Sequence, residues 1–225
     1  MIEILSISSI SLFLGYKFND ILRSLKKDNQ IPLEICERND EVENYIEKHP
    51  LVQSLRSDSS FSESRPHLNV SLKQKSNNFT LGVLSGKGKI SVAPYCFYDE
   101  STKRIIVILH LGPQICDNII HGGLLATLID ESFARCVYLA SDRIHVTANL
   151  NINYRSPAKA NQYYVLKATI SKTEGRKTWV NGHIEPLDSY SIFGNKLNNS
   201  VVIAEATALF IEPKYSSFIK KIINV

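Results

Sequence analysis

The pattern of apolar and polar residues becomes regular from about residue 89 onward. Two apolar, β-branched runs, 90–98 and 104–111, are separated by the polar stretch 99–103, which is typical of a hairpin. A long run with helical spacing follows at 121–140, and four strand-like runs complete the pattern: 144–155, 163–172, 177–185 and 201–212. Two strands, one helix and four strands predict an α+β domain in which one antiparallel sheet wraps a single helix.

The residues before this domain are less regular. Residues 40–55 carry apolar positions at helical spacing, and the serine-rich stretch 57–64 predicts a polar linker. From Ile4 to Tyr16 no residue is charged, but this run is shorter than the roughly 20 apolar residues of a spanning helix and contains four serines. Three interpretations of it stay open: a short membrane anchor, an organelle-targeting segment or a soluble amphipathic helix.

These patterns divide the chain into four parts. We predict an apolar targeting or membrane-anchor segment at 1–28 and a helical extension with its linker at 29–88. The sheet-and-helix domain follows at 89–213, and a C-terminal tail occupies 214–225. The domain therefore carries the candidate chemistry, and the first segment bears on location.

Composition excludes several classes of protein. The 225 residues are 44% hydrophobic and 21% charged, which suits a soluble core with additional segments around it. The formal charge is +4, and the basic residues are scattered rather than arranged in a stripe, so we expect no nucleic-acid partner. The four cysteines, at positions 36, 96, 116 and 136, lack the spacing of a zinc site or a redox dithiol. We therefore expect buried thiols and no metal.

The predicted helix at 121–140 is unusually apolar. Its apolar residues cover an arc of about 220° when residues are placed at 100° steps, against about 100° for an ordinary surface helix. Its acidic residues therefore need partners. Glu131 has Arg135 four residues later, which predicts an ion pair along the helix. Asp130 has no cation among its helical neighbours, and an unpaired carboxylate in such a place is a candidate functional acid or base.

The helix begins with His121-Gly122-Gly123. The first N–H groups of a helix lack partners within it and carry partial positive charge, and glycines let a ligand approach the backbone. Such a start suits a carbonyl oxygen that becomes an oxyanion. Asp130 lies about 180° around the helix from His121 and roughly 13.5 Å along it, so one helix cannot easily present both to one substrate. Two helices side by side in a dimer can, which predicts a shared site.

Two segments, HGGLLATLID (121–130) and VTANLNINYRSP (146–157), resemble hotdog-fold acyl-CoA thioesterases of the PaaI-like group. They are most similar to the mitochondrial long-chain enzymes called thioesterase superfamily members and to their fungal mitochondrial relatives. The resemblance covers about 89–213 and continues through EGRK (174–177) and EATALFI (205–211). It implies a hotdog fold, in which the sheet wraps the helix and two protomers join their sheets edge to edge.

The resemblance also implies roles for individual residues. His121, Gly122 and Gly123 correspond to the helix start that polarises the thioester. Asp130 corresponds to the acid that acts as general base or nucleophile, and Thr147 to the threonine that supports the acid or the water. The candidate substrate contacts are one polar residue of the strand and four cations suited to coenzyme A phosphates: Asn149, Arg155, Lys159, Arg176 and Lys177.

From these residues we expect hydrolysis of fatty acyl-CoA to free fatty acid and CoA, without a metal or redox cofactor. We expect a homodimer or a dimer of dimers in mitochondria, with membrane association through the N-terminus. The alternative is a non-catalytic hotdog protein that binds acyl chains or serves as a membrane-associated scaffold. A dehydratase on the same fold has less support, because we find no second acid–base pair at the helix start.

Overall fold

The computed structural model describes residues 39–70, 78–141, 143–190 and 201–214, together with Lys75 and Gly194. The predicted segment 1–28, most of the 187–199 loop and the tail from residue 215 lie outside the described residues. Within the described part, no helix has both the length and the apolar character that a membrane crossing requires.

Seven strands form one antiparallel sheet in the order β1-β2-β3-β5-β6-β7-β4. In chain order they are β1 (Phe61–Ser64), β2 (Tyr95–Asp99), β3 (Arg104–Leu111), β4 (Val146–Tyr154), β5 (Gln162–Glu174), β6 (Lys177–Pro186) and β7 (Ala204–Ile211). Three α-helices of the described residues accompany them: α1 (Asp40–Lys48), α2 (Pro50–Ser57) and α3 (Gly122–Ser141). Helix α3 packs against β3 to β7. The predicted α+β hotdog architecture, with a helical N-terminal extension, is confirmed.

The main core lies between α3 and the concave face of the sheet. Ile129, Phe133 and Cys136 of α3 are fully buried there. Gly182 in β6 is required at this interface, because a Cβ at that position would lie 2.5 Å from the Phe133 ring and 2.2 Å from the carbonyl oxygen of Lys167. The helix can therefore approach the sheet closely, which explains why its apolar arc is so wide.

A second core covers part of the convex face. Ile46 and Val52, from α1 and α2, are fully buried against Phe97 and Ile108 of the sheet. Alternate residues of β3 thus enter different cores, so both faces of the strand are apolar, as its uninterrupted hydrophobic run indicates. Arg65 holds α1 in place, since its guanidinium lies 2.7 Å from the carboxylate of Glu43.

Three predicted boundaries are wrong. The helix expected at 40–55 is two helices, because Pro50 has no N–H with which to continue the first, and the ring of His49 caps the second at Leu51 N–H, 3.2 Å away. Residues 61–64 of the expected linker pair with β2 as an edge strand, which is too short to show periodicity. The strand expected at 90–98 begins only at Tyr95.

Candidate active site

Asp130 lies on the side of α3 that contacts β4. Its Oδ1 accepts a hydrogen bond from Thr147 Oγ1 at 2.8 Å, and the residue is half-buried. Burial raises the pKa of the Asp130 carboxyl above its usual value, the Thr147 bond lowers it, and the nearby Glu131 raises it. A carboxyl whose pKa is raised is better matched to taking a proton near neutral pH, so Asp130 has the environment of a general base.

A β-bulge directs Thr147 towards the helix. Strict alternation predicts Thr147 on the same face as Asn149, opposite Leu150 and Ile152. In the structure the pairing of β4 with β7 shifts between Thr147 and Asn149, which makes Ala148 an extra residue. Thr147 therefore shares the helix-facing side with Leu150 and Ile152, which pack on the main core. The predicted alternation is wrong at this one point, and the exception creates the contact with Asp130.

The helix start uses one of its two glycine N–H groups internally. Gly123 N–H donates to Nδ1 of His121 at 3.0 Å, so the His121 ring caps its own helix. Because Nδ1 accepts, the neutral ring carries its proton on Nε2. The N–H of Gly122 has no acceptor among the described residues. Of the two candidate donors, Gly122 is therefore the open one.

Both glycines also make room for rings of the chain itself. A Cβ on Gly122 would lie 3.3 Å from the Tyr154 ring, and a Cβ on Gly123 would lie 3.0 Å from Nδ1 of His121. The Tyr154 hydroxyl donates to the Gly122 carbonyl at 2.8 Å. The sequence pattern does not single out Tyr154, although this residue ends the same motif that supplies Thr147. The contact depends on where β4 ends relative to α3, which no local pattern encodes.

The ion pair predicted between Glu131 and Arg135 is wrong. Glu131 Oε1 instead lies 3.1 Å from Nε2 of His67. Arg135 is buried and donates to Ser64 Oγ at 3.1 Å. Both partners come from β1 and the turn after it, so these two helix side chains bind the N-terminal part of the chain. Of the two acidic residues of α3, Asp130 is the one that lies on the side of the helix facing β4.

Two of the predicted substrate contacts lie beyond the end of β4, near the helix start. The Arg155 guanidinium binds the carboxylate of Glu205 at 2.9 Å, and both side chains are exposed. Lys159 forms an isolated antiparallel bridge with Ile119, just before His121. These two cations therefore flank the donor end of the site.

The other predicted contacts lie near the beginning of β4. Arg176 is in the turn between β5 and β6, where its guanidinium donates to the Glu212 carbonyl at 2.9 Å. Lys177 pairs with Ile211, the same residue of β7 that pairs with Val146. Asn149 is exposed next to the bulge. A single protomer thus has its four candidate cations at opposite ends of β4 and does not bring them together.

The acid and the donor are also separated within one protomer. Helix α3 is continuous from Gly122 to Ser141. Asp130 is eight positions after Gly122, which corresponds to about 12 Å along the helix axis. Edge strand β4 runs beside both, with Thr147 near the acid and Tyr154 near the donor.

Comparison with known sequences identifies one family over the site. The sequence profile of the thioesterase superfamily matches residues 117–190, which contain α3 and strands β4 to β6. UPF0644 protein PB2B4.06 of Schizosaccharomyces pombe is 36% identical over 188 residues, which is 82% of this chain and 70% of that protein.

Two shorter matches and one structural match accompany these. Acyl-coenzyme A thioesterase THEM4 of Rattus norvegicus is 33% identical over 118 residues, or 52% of this chain and 46% of that protein. The uncharacterized mitochondrial membrane protein FMP10 of Saccharomyces cerevisiae is 28% identical over 121 residues, or 52% of this chain and 50% of that protein. The chain therefore spans about half the length of these two relatives. The PaaI protein of E. coli aligns with 51% of this chain and 75% of its own, with a TM-score of 0.42 and 16% identity.

Proposed function

Because the chain belongs to the thioesterase superfamily, we propose that it hydrolyses fatty acyl-CoA thioesters to free fatty acid and CoA. The observation that carries this proposal is the carboxylate of Asp130, which is half-buried, has no described cationic partner and is bound by Thr147. The open N–H of Gly122 at the start of the same helix supplies the complementary donor. The relative named as an acyl-coenzyme A thioesterase supports the substrate class.

The chemistry requires a base and an oxyanion donor. Asp130 takes a proton from water while the water oxygen bonds to the thioester carbonyl carbon, and the Gly122 N–H stabilises the negative oxygen. Collapse of this intermediate breaks the carbon–sulfur bond, and the proton passes to the departing CoA thiolate. In the other form of the proposal, the Asp130 carboxylate attacks the carbonyl carbon and the carbon–sulfur bond breaks, which releases the CoA thiolate and leaves a mixed anhydride on Asp130. Water then hydrolyses the anhydride to the free fatty acid and the Asp130 carboxylate, and the proton that is released goes to the thiolate.

We propose that two protomers share each site by pairing their β4 strands. In an antiparallel pairing centred near Leu150, the beginning of one β4 lies beside the end of the other. Thr147 and its Asp130 then approach the partner's Tyr154 and the partner's Gly122. The separation of about 12 Å within one helix ceases to matter, because acid and donor come from different helices.

The character of β4 supports this pairing. It is an edge strand of nine residues with no charged residue and no proline. Free edges are usually protected by charge, proline or shortness, since unpaired backbone groups otherwise recruit other strands. The opposite edge, β1, has four residues and includes Glu63. Of the two edges of the sheet that the structure describes, β4 lacks the protection that β1 has, and a partner strand on β4 explains this difference. We propose a homodimer on this basis, which two such dimers could extend to a dimer of dimers.

The same pairing supports the candidate substrate contacts. Arg155 and Lys159 lie near the end of β4, whereas Arg176 and Lys177 lie near its beginning. Antiparallel association therefore brings the first pair of one protomer towards the second pair of its partner. We propose that these cations contact the phosphates of coenzyme A and that Asn149 contributes a hydrogen bond near the bulge.

A thiol-release assay across acyl chain lengths tests the proposed reaction. We expect the purified protein to release CoA from long-chain acyl-CoA, with the thiol detected spectrophotometrically. Binding of acyl-CoA without release would instead support the alternative function, a non-catalytic acyl-binding or scaffold protein. If the protein neither binds nor hydrolyses acyl-CoA of any chain length, the proposed function and the alternative function are both contradicted.

We further propose a mitochondrial location, which the relative named as a mitochondrial membrane protein supports. Membrane association through residues 1–28 is part of this proposal and concerns residues outside the described part of the chain.

Replacing Thr147 with valine should shift the acidic limb of the pH–rate profile to higher pH. Valine keeps the shape of the side chain but removes the hydrogen bond that lowers the pKa of Asp130. Because the base acts in its ionised form, a further rise in its pKa lowers the rate at mildly acidic pH more than at alkaline pH. The measurement is kcat/KM as a function of pH. Thr207→Val, on the exposed outer face of β7, is the matched control. An unchanged acidic limb would show that Thr147 does not support the base.

A further inference from the structure

Tyr154 touches the helix start without having an evident structural task. Tyr154 is the last residue of β4 and is 52% exposed. Its hydroxyl donates to the Gly122 carbonyl at 2.8 Å, and its ring lies against Gly122 so closely that a Cβ there would be 3.3 Å away. An exposed ring contributes little to the core, so this contact calls for an explanation at the site itself.

The peptide that joins Gly122 to Gly123 is held at both of its polar atoms. Its carbonyl accepts from Tyr154, and its N–H donates to Nδ1 of His121 at 3.0 Å. Hydrogen bonds linked through one peptide polarise each other and fix the orientation of its plane. The helix itself holds only the carbonyl, which also accepts from the Ala126 N–H four residues later, because the first N–H groups of a helix have no acceptor within it. The bonds to Tyr154 and His121 add to this restraint at a position where two glycines give the backbone its widest freedom.

The orientation of this peptide affects the open donor. The N–H of Gly122 belongs to the preceding peptide, and the two peptides meet at the Gly122 Cα. Glycine has the widest range of backbone conformations of any residue, so rotation at Gly122 would turn the donor away from a bound oxygen. An oxyanion donor is effective only when it is held in the position that the charge will occupy.

We infer that Tyr154 is a positioning residue that fixes the Gly122–Gly123 peptide and so aims the Gly122 N–H at the thioester oxygen. The inference rests on the proposed function and adds a residue to its machinery. In the proposed dimer, Tyr154 lies opposite the partner's Thr147, so it stands where the donor of one protomer meets the acid of the other.

Tyr154→Phe tests this role because it keeps the ring and removes only the hydroxyl. Loss of one hydrogen bond that holds the donor should lower kcat roughly tenfold, in line with the net strength of such a bond. KM should stay unchanged. The affinity for an S-alkyl-CoA thioether should also stay unchanged, since this analogue has no carbonyl oxygen for the donor to bind. The midpoint of thermal unfolding should match that of the wild type, because the lost bond is exposed.

Tyr45→Phe is the matched control. Tyr45 is 42% exposed, and its hydroxyl donates to Asp188 at 3.0 Å on the convex side of the sheet. This variant should keep the wild-type kcat.

Each outcome separates the inference from the proposed function. If the wild type releases CoA and Tyr154→Phe has the same kcat, the inference is overturned and the proposed function stands. Equal losses in kcat and in thioether affinity would make Tyr154 a binding residue and overturn the inference as well. If the wild type releases no CoA from any acyl-CoA, the proposed function fails, and the positioning role fails with it.

Discussion

Asp130→Asn should lower kcat by about 10²–10⁴-fold, the range that a positioned general base contributes. Asparagine keeps the size of the side chain and an oxygen that can accept from Thr147, but it cannot take a proton. The measurement is thiol release at saturating acyl-CoA. Glu131→Gln is the matched control, because that carboxylate binds His67 rather than Thr147. An Asp130→Asn protein that retains more than about a third of the wild-type rate would exclude Asp130 as the base.

The same substitution should leave stability at neutral pH equal or increased. Burial raises the pKa of Asp130, so the folded protein binds this proton more tightly than the unfolded chain does. Stability therefore falls as the pH rises through the unfolded pKa, and it levels off above the folded pKa. The ionised carboxylate lowers the free energy of unfolding at neutral pH, and a neutral amide removes that cost. Thermal unfolding of the two proteins gives the comparison, and a clearly lower midpoint for the variant would contradict it.

Mixing two inactive variants should restore activity if the sites are shared. Gly122→Pro removes the open N–H and should lower kcat by about 10²–10³-fold, as expected for loss of one oxyanion donor. In a dimer that contains one Asp130→Asn and one Gly122→Pro subunit, one site inherits both defects and the other inherits neither. Random exchange of equal amounts should therefore restore about a quarter of the wild-type activity in a two-fold symmetric dimer.

The position of Gly122 makes this experiment practicable. Gly122 is the first residue of α3, where proline is well tolerated because the backbone angle fits and the helix does not use the N–H. Gly122→Ala is the control, since it adds the same Cβ beside Tyr154 and keeps the donor. If both variants fold and exchange subunits but the mixture stays inactive, acid and donor must come from one chain.

The sequence predicts those parts of the fold that local periodicity determines. The apolar arc of α3 follows from burial on most sides, and the continuous apolar run of β3 follows from burial on both faces. The separation of Asp130 from the helix start is likewise fixed by helix geometry. These features depend on residues close together in the chain, so spacing is enough to find them.

The errors concern contacts between distant parts of the chain. Glu131 binds His67, which is 64 positions away, although Arg135 stands one helical turn along the same helix. Helical spacing identifies a possible partner but cannot tell whether another segment competes for it. Tyr154 reaches Gly122 across 32 positions in the same way. The division of the first helix at Pro50 is different, because proline itself signals a break.

Because Ala148 is an extra residue in β4, deleting one residue at this position has a different effect on the site from removing the bulge by regular pairing. A chain without Ala148 would pair with β7 in the same way from Asn149 onward, and Thr147 would still face the helix opposite Phe210. A chain that kept Ala148 but paired regularly would place Ala148 opposite Phe210 and turn Thr147 outward. A relative whose aligned sequence lacks one residue at Ala148 can therefore still place its threonine towards the helix. An alignment without that gap would match Thr147 with a residue that, in a strand without the bulge, faces the other side of the sheet.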